Sequence, residues 1–260
     1  MKYYNLILLV LSLLNVFPHI IKQSNAIEKQ LIILSASSTT ELMEELTAKF
    51  ISEHNISIKL SIASSGILAK QVKLGIPANI FISASPDWIE KLKEENKIDY
   101  SLTKPIFRNS LVLIKNNKQK LEFEIDLKNP DSILKNLYQG KLVIGDPSFV
   151  PAGKYAKNYL KEFGIWGKLK HKVIKQVNAR SILNILERNE AKLGIVYLSD
   201  LNISKNVDLV KLIPEKNNKI IYHAAVILKQ KNNQTIQFYN FLSTEAAKSL
   251  YKKYGFKTIN

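Results

Sequence analysis

The sequence predicts an α/β fold, and two observations predict it. Apolar runs of strand length alternate with amphipathic helical stretches from Leu31 to near the C-terminus. The composition, 46% hydrophobic and 23% charged with only 9 Gly and 8 Pro, is a globular balance with enough apolar material for a core. It excludes disordered, collagen-like and low-complexity chains. A length of 260 residues bounds the organisation to one large domain or two modest ones.

Taken in order, Leu31 to Leu34 is a short buried-strand signal, and the helix after it carries Leu42, Met43, Leu46 and Phe50 on one face. Ile56, Ile58, Leu60 and Ile62 alternate at the strand period. Ile67 to Leu74 reads as a short helix that Gly75 stops. Ile80 to Ile82 is the next strand, and Pro86 suits the first turn of a helix running to about Asn96. The pattern then repeats: strand Leu111 to Ile114, helix Ile133 to Tyr138, strand Leu142 to Ile144, helix Lys154 to Phe163 with Gly164 behind it. A strand near Val173, a helix from Arg180 to Glu187, and strands Gly194 to Tyr197 and Ile220 to Leu228 follow. Two helices finish the chain, the last carrying Ala246, Ala247, Leu250, Tyr251 and Tyr254. Such alternation predicts mostly parallel sheets flanked by helices.

Met1-Lys2, the apolar stretch Leu6 to Leu14, and small residues at Ser24 and Ala26 are the parts of a secretory signal peptide, with cleavage expected after Ala26. The apolar run breaks at Asn15 and Pro18, too short to span a bilayer comfortably. With 38 Lys and Arg against 22 Asp and Glu, the formal charge is +16; residues 1–26 carry two lysines and no acid, so 36 against 22 leaves +14. Nucleic acid is nevertheless not the expected partner. Arg108, Arg180 and Arg188 are the only arginines, so the bidentate forks that read phosphates and bases are nearly absent. The absence of cysteine removes disulfides, thiolate metal sites and thiol nucleophiles.

The chain holds no G-x-S-x-G elbow, phosphate-binding loop, dinucleotide glycine pattern or H-E-x-x-H. Asp146 and Asp200 follow strands, where turn or capping roles are commonest. What recurs instead is a small hydroxyl residue or a free backbone N–H where a strand hands over to a helix. Ser35 to Glu41 is the first instance; Ser38 and Glu41 have capping-box spacing, which predicts Ser38 at a helix N-terminus. The others are Ala63-Ser64-Ser65-Gly66, Val150-Pro151-Ala152-Gly153 and Asn178-Ala179-Arg180, with Asn178 a good N-cap. Ordinary capping accounts for any single one of them. Converging in one cleft, they would offer unpaired N–H donors and positive dipole ends to an anion.

On these residues the chain resembles the periplasmic molybdate-binding proteins of ABC transporters. The resemblance is carried by Ser35 to Thr40, Ala63 to Gln71, Gly75 to Ala84, Gly145 to Ala156 with its G-D-P-x-x-V-P-A-G stretch, Glu187 to Asp200, and Tyr254-Gly255-Phe256. It covers essentially the whole chain after Ala26, in order. It implies a two-lobed α/β binding protein of the type II periplasmic class, with a ligand cleft between lobes. Residues 27–108 with 223–260 would form one lobe and 109–222 the other, crossing twice so that a hinge can close. The binders it implies are the hydroxyl of Ser38, the hydroxyl and N–H of Ser65, the N–H groups of Ala152 and Ala179, and the hydroxyl of Tyr197. Three features depart from the family. Ala179 stands where Val is usual, Gln176-Val177-Asn178 replaces a more acidic stretch, and Asn79 stands where Asp is usual.

The expected activity is therefore capture of molybdate, and of tungstate with it, as an intact oxyanion. No side chain would coordinate the metal, no cofactor would take part and no reaction would occur. The implied partner is an inner-membrane ABC permease with its ATPase, served by a periplasmic monomer. Three other readings stay open. One is a receptor for another tetrahedral oxyanion such as sulfate. Another is an extracytoplasmic hydrolase using Ser38 or Ser65, with His171 or His223 as a remote base. The last is a lysine-rich binder of polyanions.

Overall fold

The computed structural model describes residues 30–259 except 128, 130 and 216–218. The signal peptide and the cleavage point after Ala26 lie outside the described residues. The first sheet is built from β1 (Leu31–Ala36), β2 (Ile58–Ala63), β3 (Ile80–Ser83), β4 (Ile98–Asn109), β10 (Ile220–Ile227) and β11 (Lys257–Thr258), in the order β11-β4-β10-β3-β1-β2. The second contains β5 (Leu111–Asn116), β6 (Leu142–Gly145), β7 (Val173–Gln176), β8 (Leu193–Tyr197) and β9 (Val207–Leu212), in the order β7-β6-β8-β5-β9. The chain therefore leaves the first sheet at Ser110 and returns to it by Ile220, two passages between two lobes.

Helices follow the strands much as the periodicity predicts. They are α1 (Thr40–His54), α2 (Ser65–Lys73), α3 (Pro86–Glu94), α4 (Asp131–Asn136), α5 (Pro151–Glu162), α6 (Trp166–Leu169), α7 (Ala179–Glu187), α8 (Asn233–Phe241) and α9 (Glu245–Lys253). Gly75 and Gly164, at φ +80 and +68, end α2 and α5 in the left-handed conformation that glycine adopts without a Cβ penalty.

Both sheets are mixed rather than mostly parallel. β1 pairs in parallel with β2 and β3, and β6 with β7 and β8, as strand–helix–strand units require. Antiparallel pairing enters with the strands next to the crossings. β10 runs against β3 and β4, and β5 against β8 and β9. A strand that returns from the other lobe has no preceding crossover helix to fix it in parallel.

Strand period two sorts side chains to opposite faces of each sheet. In the first lobe Ile33, Ile80, Ile82 and Ala224 join the cluster under α1, α8 and α9, whereas Leu34, Phe81 and Ala225 pack under α2 and α3. In the second, Leu113, Ile144 and Ile195 face one way, and Val112, Val143 and Val196 face the α7 residues Ile182, Leu183 and Leu186. Phe107, Leu111, Tyr197 and Tyr222 belong to a single apolar cluster that continues from one lobe into the other. β4 and β9 had no clear sequence signal. β4 is polar over Asp99 to Lys104 and contains Pro105, which lies opposite His223 where the ladder with β10 shifts register.

Candidate functional site

The first lobe contributes two strand ends. After β1 the chain makes a single 3-10 turn, Ser37–Thr39, before α1 begins. Ser38 is buried in that turn and its Oγ lies 2.7 Å from the Tyr222 hydroxyl. The capping box expected of Ser38 and Glu41 is not formed. Thr39 occupies the N-cap without a side-chain cap bond, because the inserted turn moves Ser38 off the helix end. After β2, Ser64 caps α2 by position, and Ser65 is its first residue, fully buried, with Oγ accepting from the Ala84 N–H at 3.0 Å.

The second lobe contributes three. Pro151 opens α5, where its missing N–H costs nothing, so Ala152 supplies an early first-turn amide that no carbonyl of the helix can reach. The helix can sit this close to β6 because residue 153 is glycine: a Cβ there would stand 1.9 Å from the Gly145 carbonyl oxygen. Asn178 does form the predicted N-cap of α7, accepting from the Ser181 N–H at 2.8 Å. Ala179 is the first residue of that helix. Tyr197 ends β8 with its ring fully buried and its phenolic oxygen without a hydrogen-bond partner. Burial pushes that phenol well above its ordinary pKa, so it remains a neutral O–H donor.

The lobes meet at these same points. The Ala179 N–H donates to Ser37 Oγ at 3.1 Å, and the Gly66 N–H donates to the Phe149 carbonyl at 3.1 Å. The Tyr197 and Tyr222 rings face each other edge-on, centroids 5.9 Å apart. Ser38 is thus brought against the Tyr222–Tyr197 pair and next to the α7 N-terminus. Ser65 is brought, through Gly66, against the loop that leads into Ala152. At the mouth, Lys154 pairs with Asp87, and Trp88 and Phe149 line a cavity of about 150 Å³. A hollow of about 720 Å³ elsewhere, bordered by Phe123, Lys135 and Lys211, is open to solvent and touches none of the five predicted residues.

Some contributors escaped the sequence. In the sequence Tyr222 lies within a strand signal, Ser37 among several serines and Arg180 at a helix start, and none of these positions marks a site by itself. Asp146 keeps the expected turn role, accepting from the Ser148 N–H at 2.9 Å. Asp200 does accept a local amide, the Tyr197 N–H at 3.0 Å, but it also faces the Arg180 guanidinium. Asn79 is structural: Oδ1 accepts from the Ile32 N–H at 2.8 Å, and Nδ2 donates to the Gln230 carbonyl at 2.9 Å and to Thr235 Oγ1 at 3.0 Å. The hydrolase reading finds no support here. Ser38 is engaged by Tyr222 and Ser65 by a backbone amide, and His223 Nδ1 is buried without a partner. His171 sits in the Lys170–Lys172 turn, where its carbonyl accepts from Lys141 Nζ at 3.5 Å.

Comparison with known proteins agrees with this architecture. Residues 31–257 match the model of the bacterial extracellular solute-binding protein family. The molybdate-binding protein ModA of Escherichia coli is 37% identical over 232 residues, which is 88% of this chain and 89% of that protein. ModA of Haemophilus influenzae is 32% identical, over 90% of this chain and 92% of that protein. Among solved structures, the substrate binding domain of a putative molybdenum ABC transporter from Clostridium difficile superposes with a TM-score of 0.67 at 28% identity, covering 89% of this chain and 99% of that one. The chain belongs to the bacterial extracellular solute-binding protein family, the family of these ModA proteins.

Proposed function

We propose that the chain is an extracytoplasmic receptor that captures molybdate, and tungstate with it, and delivers the oxyanion to an inner-membrane ABC permease driven by its ATPase. The binders are the hydroxyls of Ser38, Ser65 and Tyr197 and the N–H groups of Ser65, Ala152 and Ala179, the last turning from Ser37 Oγ to the ligand oxygen on binding. The lobes are those expected, residues 27–108 with 223–260 and residues 109–222, with the boundaries moved to Ser110 and to just before Ile220, because Asn109 ends β4 and Ile220 begins β10 of the first sheet. The mature chain begins after Ala26 and acts as a periplasmic monomer.

One observation carries the reading. Tyr197 holds a fully buried phenol that makes no hydrogen bond of ordinary geometry, edge-on to Tyr222, whose hydroxyl meets Ser38. An unpartnered buried hydroxyl is costly, and a ligand oxygen is the acceptor that would offset it. The relatives named above bear molybdate in their names, and their likeness spans nearly the whole chain. Neutral, fixed donors suit a transport receptor. They select by oxyanion size, since a smaller anion leaves some donors unpaired, and they do not hold every anion as a bare lysine would.

Thermal unfolding of residues 27–260 with molybdate, tungstate, sulfate and phosphate in parallel tests the proposal. Ligand at about a hundred times its Kd stabilises by roughly 2.7 kcal/mol, which is a shift of several degrees. Shifts with molybdate and tungstate and none with sulfate are expected. A shift with sulfate alone overturns the substrate, and no shift with any oxyanion overturns the receptor.

A further inference from the structure

An ionic chain crosses the cleft beside the proposed donors. Arg180 directly follows Ala179 in α7. Its Nη1 donates to Asp200 Oδ1 at 3.1 Å within the second lobe, and its Nη2 donates to the carboxylate of Glu41 on α1 of the first lobe. Asp200 is fully buried, Arg180 is 20% exposed and Glu41 33%. Each member is tied to a different proposed donor. Glu41 lies one helical turn beyond Ser38, Arg180 is adjacent to Ala179, and Asp200 holds the Tyr197 N–H at 3.0 Å.

We propose that Glu41–Arg180–Asp200 is the closure latch of this receptor, with Arg180 as its positioning residue. The proposal rests on the oxyanion reading of the cleft. The bond to Glu41 joins the lobes and exists only when they are shut, whereas the bond to Asp200 lies inside one lobe and persists when they part. Closure therefore forms, besides the more exposed Lys154–Asp87 pair, a charge-assisted contact beside the donors that makes no use of the ligand. The planar fork of arginine serves two carboxylates in different directions, which a lysine ammonium does not. The two carboxylates also commit the guanidinium charge, so the cation nearest the site is not a free anion trap.

A latch of this kind acts on release rather than capture, and equally on any ligand that lets the lobes close. A residue that touches the oxyanion would instead change the preference between oxyanions. Stopped-flow tryptophan fluorescence of residues 27–260 and of Glu41→Gln, with molybdate and with tungstate, separates these roles. In Glu41→Gln the off-rate should rise about twofold to fivefold for both oxyanions, the scale of one partly exposed ion pair, with the on-rate unchanged from wild type. The melting temperature without added oxyanion should stay within about two degrees, since Glu41 is partly exposed. Arg180→Lys should give the same off-rate increase. An unchanged off-rate while wild type binds, or a changed molybdate-to-tungstate ratio, overturns the latch alone. No wild-type signal with either oxyanion overturns the ligand reading and the latch with it.

Discussion

The backbone N–H of Ala179 donates to Ser37 Oγ at 3.1 Å, joining the first residue of α7 in one lobe to the turn after β1 in the other. This bond fixes how far the lobes approach, because it puts a helix N-terminus within hydrogen-bond reach of the residue beside Ser38. The remaining proposed donors are arranged around it by backbone, not by long side chains. That is why their identities as Ala and Ser carry so little individual signal.

Tyr197→Phe deletes a buried phenol that makes no hydrogen bond of ordinary geometry in the protein. Losing a hydrogen bond to a charged ligand should weaken molybdate binding by about 10-fold to 100-fold in calorimetry. Stability without the anion should hold or rise slightly, because a desolvated hydroxyl is removed. A variant that binds as wild type removes Tyr197 from the site.

Gly66→Ala attacks closure itself. A Cβ at this position would stand 2.5 Å from the Phe149 carbonyl oxygen in the opposite lobe and 2.7 Å from the Trp88 ring. Within the first lobe the Trp88 side chain must also shift to admit the methyl, so a modest loss of stability should accompany the effect on closure. The contraction in radius of gyration expected of the unmodified chain on adding molybdate, measured by small-angle scattering, should be lost or reduced. Full contraction in the variant would contradict the cross-lobe contact.

Asp200 gives a pH signature. Burial pushes its carboxyl up to about 6 despite the neighbouring Arg180. Between the ordinary aspartate value near pH 4 and this raised value, the folded chain keeps a proton that the unfolded chain has lost. Its contribution to stability therefore falls as pH rises through that window and is flat above it. Asp87, Asp99 and Asp146 are held below their ordinary values by hydrogen bonds and lysine charges and push the other way, so the comparison must be differential. In urea unfolding, wild type relative to Asp200→Asn should be more stable at pH 4.5 than at pH 7. The reverse order would show that the ion pair outweighs burial.

Asn79→Ala should cost roughly 1–3 kcal/mol in urea unfolding, because it leaves the Ile32 amide without its acceptor and the Gln230 carbonyl with Thr235 Oγ1 alone. Molybdate affinity of the folded fraction should be unchanged, since these bonds tie β1 to the chain after β10, away from the proposed donors. A loss of affinity with intact stability would make Asn79 part of the site.

The strand–helix alternation was legible because each buried strand and each amphipathic helix announces its own period. β4 was not, since Asp99 to Lys104 are polar and Pro105 argues against a strand until the register shift opposite His223 accommodates it. The mixed sheets were hidden for a related reason: pairing direction in β5 and β10 depends on the lobe crossings, which local periodicity does not encode. At the site, Asn178 was readable as a cap because capping is local. Ser38 with Glu41 misled for the same reason, since their spacing suits a capping box while their actual partners, Tyr222 and Arg180, lie more than a hundred residues away. Arg180 carried one available clue: it is among only three arginines and sits beside a predicted donor.

The central claim is that amide and hydroxyl donors from both lobes hold an intact oxyanion. Anomalous scattering at the molybdenum edge from crystals of residues 27–260 grown with molybdate tests it most directly. One strong peak is expected between the lobes, its oxygens within hydrogen-bond distance of Ser38, Ser65, Ala152, Ala179 and Tyr197. A peak at surface lysines, or one between the lobes whose oxygens avoid those donors, would contradict it.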